Sequence, residues 1–124
     1  MIPLQLPFNA ETPIFQQIAE AIEDAIVTGA FPEEQQVPST TEVSTRLSVN
    51  PATVLKGMNL LVDRDILYKK RGVGMFVREG AAARILEERR RAFKNGFVKP
   101  LLREAEKLGI SRETILSMIE GGTK

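Results

Sequence analysis

Residues 39–62 have the sequence STTEVSTRLSVNPATVLKGMNLLV, and this stretch contains two helix-start signals. Ser39 and Glu42 have the spacing of a capping box, in which the serine hydroxyl accepts from the Glu42 N–H and the glutamate side chain reaches back. Asn50 followed by Pro51 repeats the signal, because asparagine caps a helix well and proline suits its first position. Apolar residues follow each cap at helical spacing. The stretch therefore predicts two short helices joined by a tight turn, a pattern that is typical of a helix-turn-helix motif.

The residues before this motif predict a supporting helix. Thr12 suits its N-cap, Pro13 its first position and Gly29 its end. Isoleucines recur every four residues in between and form one apolar stripe, which consists of Ile14, Ile18, Ile22 and Ile26. Residues 1–11 contain two prolines and predict an extended arm.

The residues after the motif predict a β-hairpin with a basic tip. Two short apolar stretches, 66–68 and 75–77, flank the sequence Lys69-Lys70-Arg71-Gly72-Val73-Gly74. Short strands around a glycine-rich turn are typical of a hairpin. A helix-turn-helix followed by a basic hairpin describes a winged helix, whose second motif helix enters the major groove and whose wing neutralises phosphates.

Residues from about 80 to 108 predict a long amphipathic helix, and Ser111 predicts the cap of a last one. Pro100 lies inside the long helix. Because residue 96 is a glycine with freedom to bend, a kinked continuous helix is favoured over a stop. The apolar stripe of these helices is wider than a monomer needs, which predicts a dimer interface. Its predicted residues are Phe93, Phe97, Leu101, Leu102, Ala105, Leu108, Ile115, Leu116 and Ile119.

Charge is distributed unevenly along the chain. The 124 residues are enough for one domain, or for a small domain with an appendage, and 17 Lys and Arg against 16 Asp and Glu give a net charge of +1. Residues 1–45 contain seven acids and no base, whereas residues 46–99 contain thirteen bases and five acids, a net charge of +8. This segregation indicates a polyanion-binding surface, with an ordinary solvated surface as the alternative.

The absent residue types exclude several kinds of site. The chain has no Cys, which excludes disulfides and thiolate metal sites, and no His, which excludes imidazole-dependent catalytic triads and histidine zinc ligands. The sequence therefore predicts no metal, no cofactor and no enzyme activity. Its apolar runs are too short to span a bilayer and its N-terminus lacks a basic signal-peptide region, so we expect a cytoplasmic protein with no membrane partner.

Several spaced segments resemble the DNA-binding domain of GntR-type transcriptional regulators. They are residues 12–18, the stripe from Ile22 through Ile26 to Gly29, and residues 37–39, 47–54 and 71–77. The short C-terminal segment and the Val-Asn-Pro-X-Thr-Val form of the second motif helix resemble the YtrA-like subgroup. The resemblance implies a mostly α fold with a small β-hairpin, in which a winged helix-turn-helix domain at 1–78 precedes a two-helix dimerisation segment at 79–124. It also implies a homodimeric, sequence-specific regulator that binds double-stranded DNA at an inverted-repeat operator, with repression favoured.

The resemblance further implies which residues contact DNA. Thr41 departs from the arginine usual in the family, Asp65 stands where relatives usually have glycine, and the unusual Gly57 permits either close packing or close approach to DNA. The implied DNA-binding residues are Ser39, Thr40, Thr41, Asn50, Ala52, Thr53, Lys56, Lys69, Lys70, Arg71 and Gly72.

The sequence leaves an alternative function open. A winged helix can serve as a protein-interaction module without binding DNA, although three consecutive cations in the wing argue against that function. No motif identifies a small-molecule effector, the operator sequence, the target genes or the sign of control.

Overall fold

The computed structural model describes Leu4 and residues 8–121. Most of the predicted N-terminal arm, residues 1–3 and 5–7, lies outside the described residues. The predicted fold class, mostly α with one small hairpin, is confirmed. The elements are α1 (Ile14–Val27), α2 (Thr40–Leu47), α3 (Pro51–Asp63), β1 (Leu67–Lys70), β2 (Gly74–Val77), α4 (Ala81–Phe93), a π-helical turn (Lys94–Val98), α5 (Lys99–Lys107) and α6 (Arg112–Ile119).

The chain divides into two compact units, Met1–Leu86 and Glu87–Lys124. The core of the first unit includes Ala81 and Ile85 at the start of α4. The first unit therefore includes the beginning of α4 as well as the hairpin. The functional division into residues 1–78 and 79–124 stays a prediction.

Three helices and the hairpin build the core of the first unit. Helix α1 packs against α3, which also contacts α2 and β1. The predicted α1 stripe is confirmed for three of its isoleucines, which are buried, whereas Ile14 is exposed. The largest fully buried side chains are Ile18, Ile22, Val43, Val54, Met58, Leu61, Ile66, Leu67, Val77 and Ile85.

Helix α1 begins one residue later than predicted. Its N-cap is Pro13, with φ −54° and ψ 142°, and no side chain caps it. Thr12 is not the cap, because side chains on both sides of it, Asn9 before the helix and Gln17 within it, bind its backbone groups. The Thr12 N–H donates to Asn9 Oδ1 at 3.2 Å, and Gln17 Nε2 donates to the Thr12 carbonyl at 2.6 Å.

The predicted caps of α2 and α3 are confirmed. Glu42 N donates to Ser39 Oγ at 3.1 Å, and Ser39 N donates to Glu42 Oε1 at 2.9 Å, which completes the capping box. The bond from the Ser39 N–H favours the ionised carboxylate, so the pKa of Glu42 is lowered. At α3, Asn50 Oδ1 accepts from Ala52 N at 2.8 Å. These short-range bonds set where both helices begin.

Gly57 answers a question that the sequence leaves open. A Cβ at this position would lie 2.7 Å from the Phe15 carbonyl oxygen and 3.4 Å from Ile18 Cβ, so the glycine lets α3 approach α1 closely. Gly57 is buried. Close packing, rather than close approach to DNA, therefore explains it.

Replacing Gly57 with alanine is expected to destabilise the first unit. Alanine favours helices by about 1 kcal/mol over glycine, but forcing a methyl group against the α1 backbone costs about 1–3 kcal/mol. We expect chemical denaturation to show a net loss of up to about 2 kcal/mol in the free energy of unfolding. Gly96→Ala is the control, because no atom beyond the backbone of its own helical turn and its chain neighbours lies within 4 Å of the added methyl. A Gly57→Ala protein at least as stable as the parent would contradict the packing explanation.

The hairpin is a two-stranded sheet, and the linker between α1 and α2 pairs with it through an isolated bridge between Gln36 and Phe76. In the hairpin, Leu67 lies opposite Val77, and Lys70 lies opposite Gly74. On the other edge of β2, Val37 N donates to the Met75 carbonyl at 2.9 Å. The strands extend further toward the turn than the predicted 66–68 and 75–77, because the ladder continues to Lys70 and Gly74.

Asp65, at the turn into the hairpin, adopts φ 59°, the left-handed region that glycine occupies more readily. Its carboxylate lies 3.7 Å from Arg78 Nη2, and its carbonyl accepts from Arg84 Nη1. Asp65 is therefore contacted by Arg78, which directly follows β2, and by Arg84 of α4.

The helical backbone passes Pro100 without a stop, which confirms the favoured prediction of a continuous helix. The irregularity takes the form of the π-helical turn at Lys94–Val98, directly before α5. Proline has no N–H to donate and its ring crowds the carbonyl four residues earlier, so a wider turn at this point relieves both problems. Gly109, with φ 69°, ends α5, and Ser111 Oγ caps α6 by accepting from Thr114 N at 3.1 Å.

Candidate nucleic-acid interface

The first turn of α2 presents backbone donors. The N–H groups of Thr40 and Thr41 lie where a helix has no internal partners, and such groups bind phosphate well. The Thr41 side chain is exposed, but the Thr40 hydroxyl is turned inward and donates to Met58 Sδ at 3.6 Å. Ser39 is exposed, and its hydroxyl already accepts within the capping box. Thr40 can therefore offer DNA its backbone and not its hydroxyl.

Helix α3 presents one uncovered face. Ala52 and Lys56 are exposed, as is Leu55, whereas Thr53 is half-buried. Asn50 is exposed at the N-terminus, and its cap bond uses Oδ1, which leaves the amide nitrogen as a donor. The predicted contacts Asn50, Ala52 and Lys56 are thus available to a ligand, and Thr53 is partly available.

Lys56 is held against α1. Its Nζ lies 4.3 Å from the centroid of the Phe15 ring, a cation–π contact. At an exposed position such a contact is worth about 0.5–1 kcal/mol. Lys56 can therefore swing toward DNA at a small cost, and Phe15 is a neighbour of the site that the sequence pattern does not identify.

The wing has three cations, of which Lys69 and Lys70 lie in β1 and Arg71 lies in the turn. Lys69 and Lys70 lie in β1 rather than at the tip, so their side chains project to opposite faces of the strand. Lys70 Nζ lies 4.4 Å from the centroid of the Phe76 ring. The turn itself contains Arg71 and Gly72, and all four predicted wing residues are exposed.

Gln36 positions the wing, and the sequence analysis missed it. Its Nε2 donates to the Val73 carbonyl at 2.9 Å, which ties the α1–α2 linker to the hairpin turn. Gly74 has φ 146°, and a Cβ there would collide with the Gln36 amide. No linear signal identifies this contact, because it joins residues 37 positions apart.

Acidic residues of the first third of the chain support the fold. Glu23 is 6% exposed, and its Oε2 pairs with Arg64 Nη2 at 2.9 Å, which links α1 to the end of α3. The Glu33 carboxylate accepts from the N–H groups of Gly80 at 2.8 Å and Ala82 at 3.2 Å, and these bonds lower the pKa of Glu33. In the wing, burial and the nearby Glu34 carboxylate raise the pKa of Tyr68.

The C-terminal unit exposes large apolar side chains. The Phe93 and Phe97 rings have centroids 5.6 Å apart, and both rings are exposed. Among the predicted interface residues, Ala105 and Ile115 are buried within the single chain and Leu102 is half-buried, so these three support the helix pair. The C-terminal apolar face is defined by the remaining six, Phe93, Phe97, Leu101, Leu108, Leu116 and Ile119.

Among Leu4 and residues 8–121, no group of three or more carboxylates could hold a metal ion. No helix in this described part of the chain is long and apolar enough to cross a membrane.

Known proteins resemble the chain in sequence and fold. Residues 14–77, more than half of the chain, match the family described as bacterial regulatory proteins, gntR family. The chain is 26% identical over 117 residues to the HTH-type transcriptional repressor YtrA of Bacillus subtilis (strain 168), covering 94% of this chain and 89% of that protein. A GntR-family transcriptional regulator structure from Bacteroides thetaiotaomicron is similar with a TM-score of 0.75 and 34% identity, covering 89% of this chain and 96% of that one.

A DNA complex is also among the similar structures. The AraR DNA-binding domain in complex with operator ORX1 has a TM-score of 0.53 and 28% identity, covering 62% of this chain and 94% of that one. These similar proteins are regulators rather than enzymes. They favour DNA binding over a module that contacts only protein.

Proposed function

This chain belongs to the GntR family of bacterial regulatory proteins and is a DNA-binding transcriptional regulator, and we propose that it acts as a homodimeric repressor on an inverted-repeat operator. Its YtrA-like type, predicted from the sequence, is confirmed by its relatives. We propose three further properties: how the protein binds DNA, that it forms a dimer, and that it represses transcription.

The observation that supports the mode of DNA binding is the pair of uncovered surfaces in the first unit. Helix α3 leaves Ala52 and Lys56 exposed, and the hairpin leaves Lys69 and Arg71 exposed. A helix fits the wide major groove, and neighbouring cations neutralise the phosphates that border it. We infer that residues 50–56 enter the major groove while the wing contacts the flanking backbone.

The N-terminus of α2 supplies further phosphate contacts in this proposal. The backbone N–H groups of Thr40 and Thr41 fix the orientation of the motif on the duplex and convey no sequence information. Thr41 cannot make the bidentate contact that an arginine makes, so orientation depends more on the wing than it does in relatives with arginine there.

The C-terminal apolar face supports the dimer. Its six large side chains are exposed in the single chain, and burial of apolar surface is the main driving force of association. A two-fold dimer presents two copies of α3 in opposite orientations. We infer that the operator has two half-sites related by inverted symmetry.

Repression follows from occupancy in this proposal, because a dimer on a promoter excludes polymerase. A bacterial repressor acts where its operator DNA lies, so we infer that the protein works in the cytoplasm. No described residue identifies a small-molecule effector, and the proposal needs none for DNA binding.

Selection of bound duplexes from a random pool tests the proposed function. The protein is expected to enrich duplexes that contain an inverted repeat, and its affinity for them is expected to fall steeply as salt rises. Enrichment of a single asymmetric site would contradict the symmetric dimer. Failure to bind any duplex, or an affinity that does not depend on salt, would contradict the proposed mode of DNA binding.

A further inference from the structure

The outward face of α3 has few groups that can hydrogen-bond to bases. Across Pro51–Asp63 the exposed side chains are those of Pro51, Ala52, Leu55, Lys56 and Asp63. Only Lys56 is a donor, and Asp63 at the far end of the helix repels phosphate. The centre of this face is therefore apolar.

Leu55 is the most informative residue on that face. Its side chain is 40% exposed, although the α1–α3 core next to it is closely packed. Ala52 lies three residues earlier, so the two side chains are neighbours on the helix surface. Together with Phe15, Asn59 and Leu60, and with the charged Lys56 and Asp63, they line a shallow, mainly apolar groove along α3.

Lys56 also lines this groove, and its ammonium group already contacts a neighbouring ring. Lys56 Nζ lies over the Phe15 ring, 4.3 Å from its centroid. Its ammonium group is thus directed to the α1 side of the groove. Leu55 is the largest exposed apolar side chain of α3, and it can meet the floor of a major groove.

Only one apolar group projects from base pairs into the major groove, the C5-methyl of thymine. We propose that Leu55 is a specificity-determining residue that contacts thymine methyl groups. This inference rests on the proposed function, since it requires α3 to enter the major groove. Affinity then comes mainly from phosphate contacts of the wing, and sequence preference from apolar contacts of α3.

Deoxyuridine substitution tests this inference, because uracil lacks only the methyl group and keeps every base-pair hydrogen bond. Each thymine of a selected half-site is replaced in turn, and the dissociation constant is measured at fixed salt. We expect one or two positions at which the substitution weakens binding about fourfold per half-site, the value of one buried methyl. The same substitution is expected to have no effect on Leu55→Ala at those positions.

Two further variants make the assignment specific. Leu55→Met keeps an apolar side chain of similar volume and is expected to retain the uracil effect. Val73→Ala removes an exposed apolar side chain from the wing, and it is also expected to retain the effect. If Leu55→Ala binds weakly, the comparison is made at lower salt, where phosphate contacts hold the complex.

The outcomes separate this inference from the proposed function. A protein that binds no duplex contradicts the proposed function itself. Two outcomes overturn the role of Leu55 and leave the proposed function intact. In the first, binding depends on salt but uracil weakens it at no thymine position. In the second, the selected half-sites share no thymine at a fixed position. A uracil effect that persists in Leu55→Ala also overturns that role, because another residue would then contact the methyl.

Discussion

A double variant, Phe97→Asp with Leu101→Asp, is expected to be monomeric and to bind an inverted-repeat operator at least about 100-fold more weakly than the parent. Phe97 is 67% exposed and Leu101 is 46% exposed in the single chain, so aspartate is tolerated in the monomer. In a dimer interface, by contrast, each carboxylate would lose its water without gaining a partner. The loss in affinity follows because a monomer binds one half-site at a time and lacks the effective concentration that links the two half-sites in a dimer.

The measurements are light scattering for mass and a titration of operator duplex for affinity. Asn95→Asp is the control, because it adds a negative charge at an exposed polar position of the same π-helical turn that contains Phe97. We expect that variant to remain dimeric. Circular dichroism checks that the double variant keeps its helices. A dimeric double variant, or a monomer that binds the operator as tightly as the parent, would show that this face does not pair the subunits.

Replacing Lys69, Lys70 and Arg71 together with alanine is expected to weaken binding to every duplex by about 100-fold at physiological salt. All three side chains are exposed. Removing them also reduces the salt dependence of binding, since the slope of log K against log salt falls by about one for each phosphate that the protein no longer neutralises. The loss of affinity is expected to be nearly the same for operator and random duplexes, because phosphate contacts do not distinguish sequences.

Single alanine variants show how much each wing cation contributes to DNA affinity. Lys70 lies over the Phe76 ring, so Lys70→Ala is expected to weaken binding less than Arg71→Ala, which removes the cation of the turn. The matched control is a triple alanine variant at Arg90, Lys94 and Lys107, which removes the same charge from the C-terminal unit. An equal loss of affinity in this control would mean that net charge, and not the wing, accounts for the binding.

Local patterns predicted the parts of the fold that depend on near neighbours in sequence. The capping box of Ser39 and Glu42 and the cap by Asn50 join residues two or three apart, so their residue types and spacing specify them. The start of α1 was misplaced by one residue because Asn9 and Gln17, eight positions apart, engage the backbone around Thr12. The same limit applies to Pro100, where the sequence favoured continuity but did not indicate the π-helical turn that accommodates it.

The candidate site also has features that the sequence predicted and features that depend on residues distant in sequence. The exposure of Asn50, Ala52, Lys56 and Arg71 agrees with the sequence-based interpretation. The inward turn of the Thr40 hydroxyl does not, because it depends on Met58 of another helix.

By itself, the sequence determined that this protein has two capped motif helices, a basic hairpin and an apolar C-terminal stripe, because composition and short spacing are enough to specify caps, turns and amphipathic faces. Only the tertiary structure decided why residue 57 is glycine, what holds the wing turn and which side chains of α3 stay uncovered. The Phe15 carbonyl excludes a Cβ at Gly57, and the Gln36 amide holds the Val73 carbonyl. The packing of α1 on α3 buries Val54 and leaves Leu55 exposed. These interactions join residues that are remote in sequence, so they exist only once the helices and the hairpin have packed together.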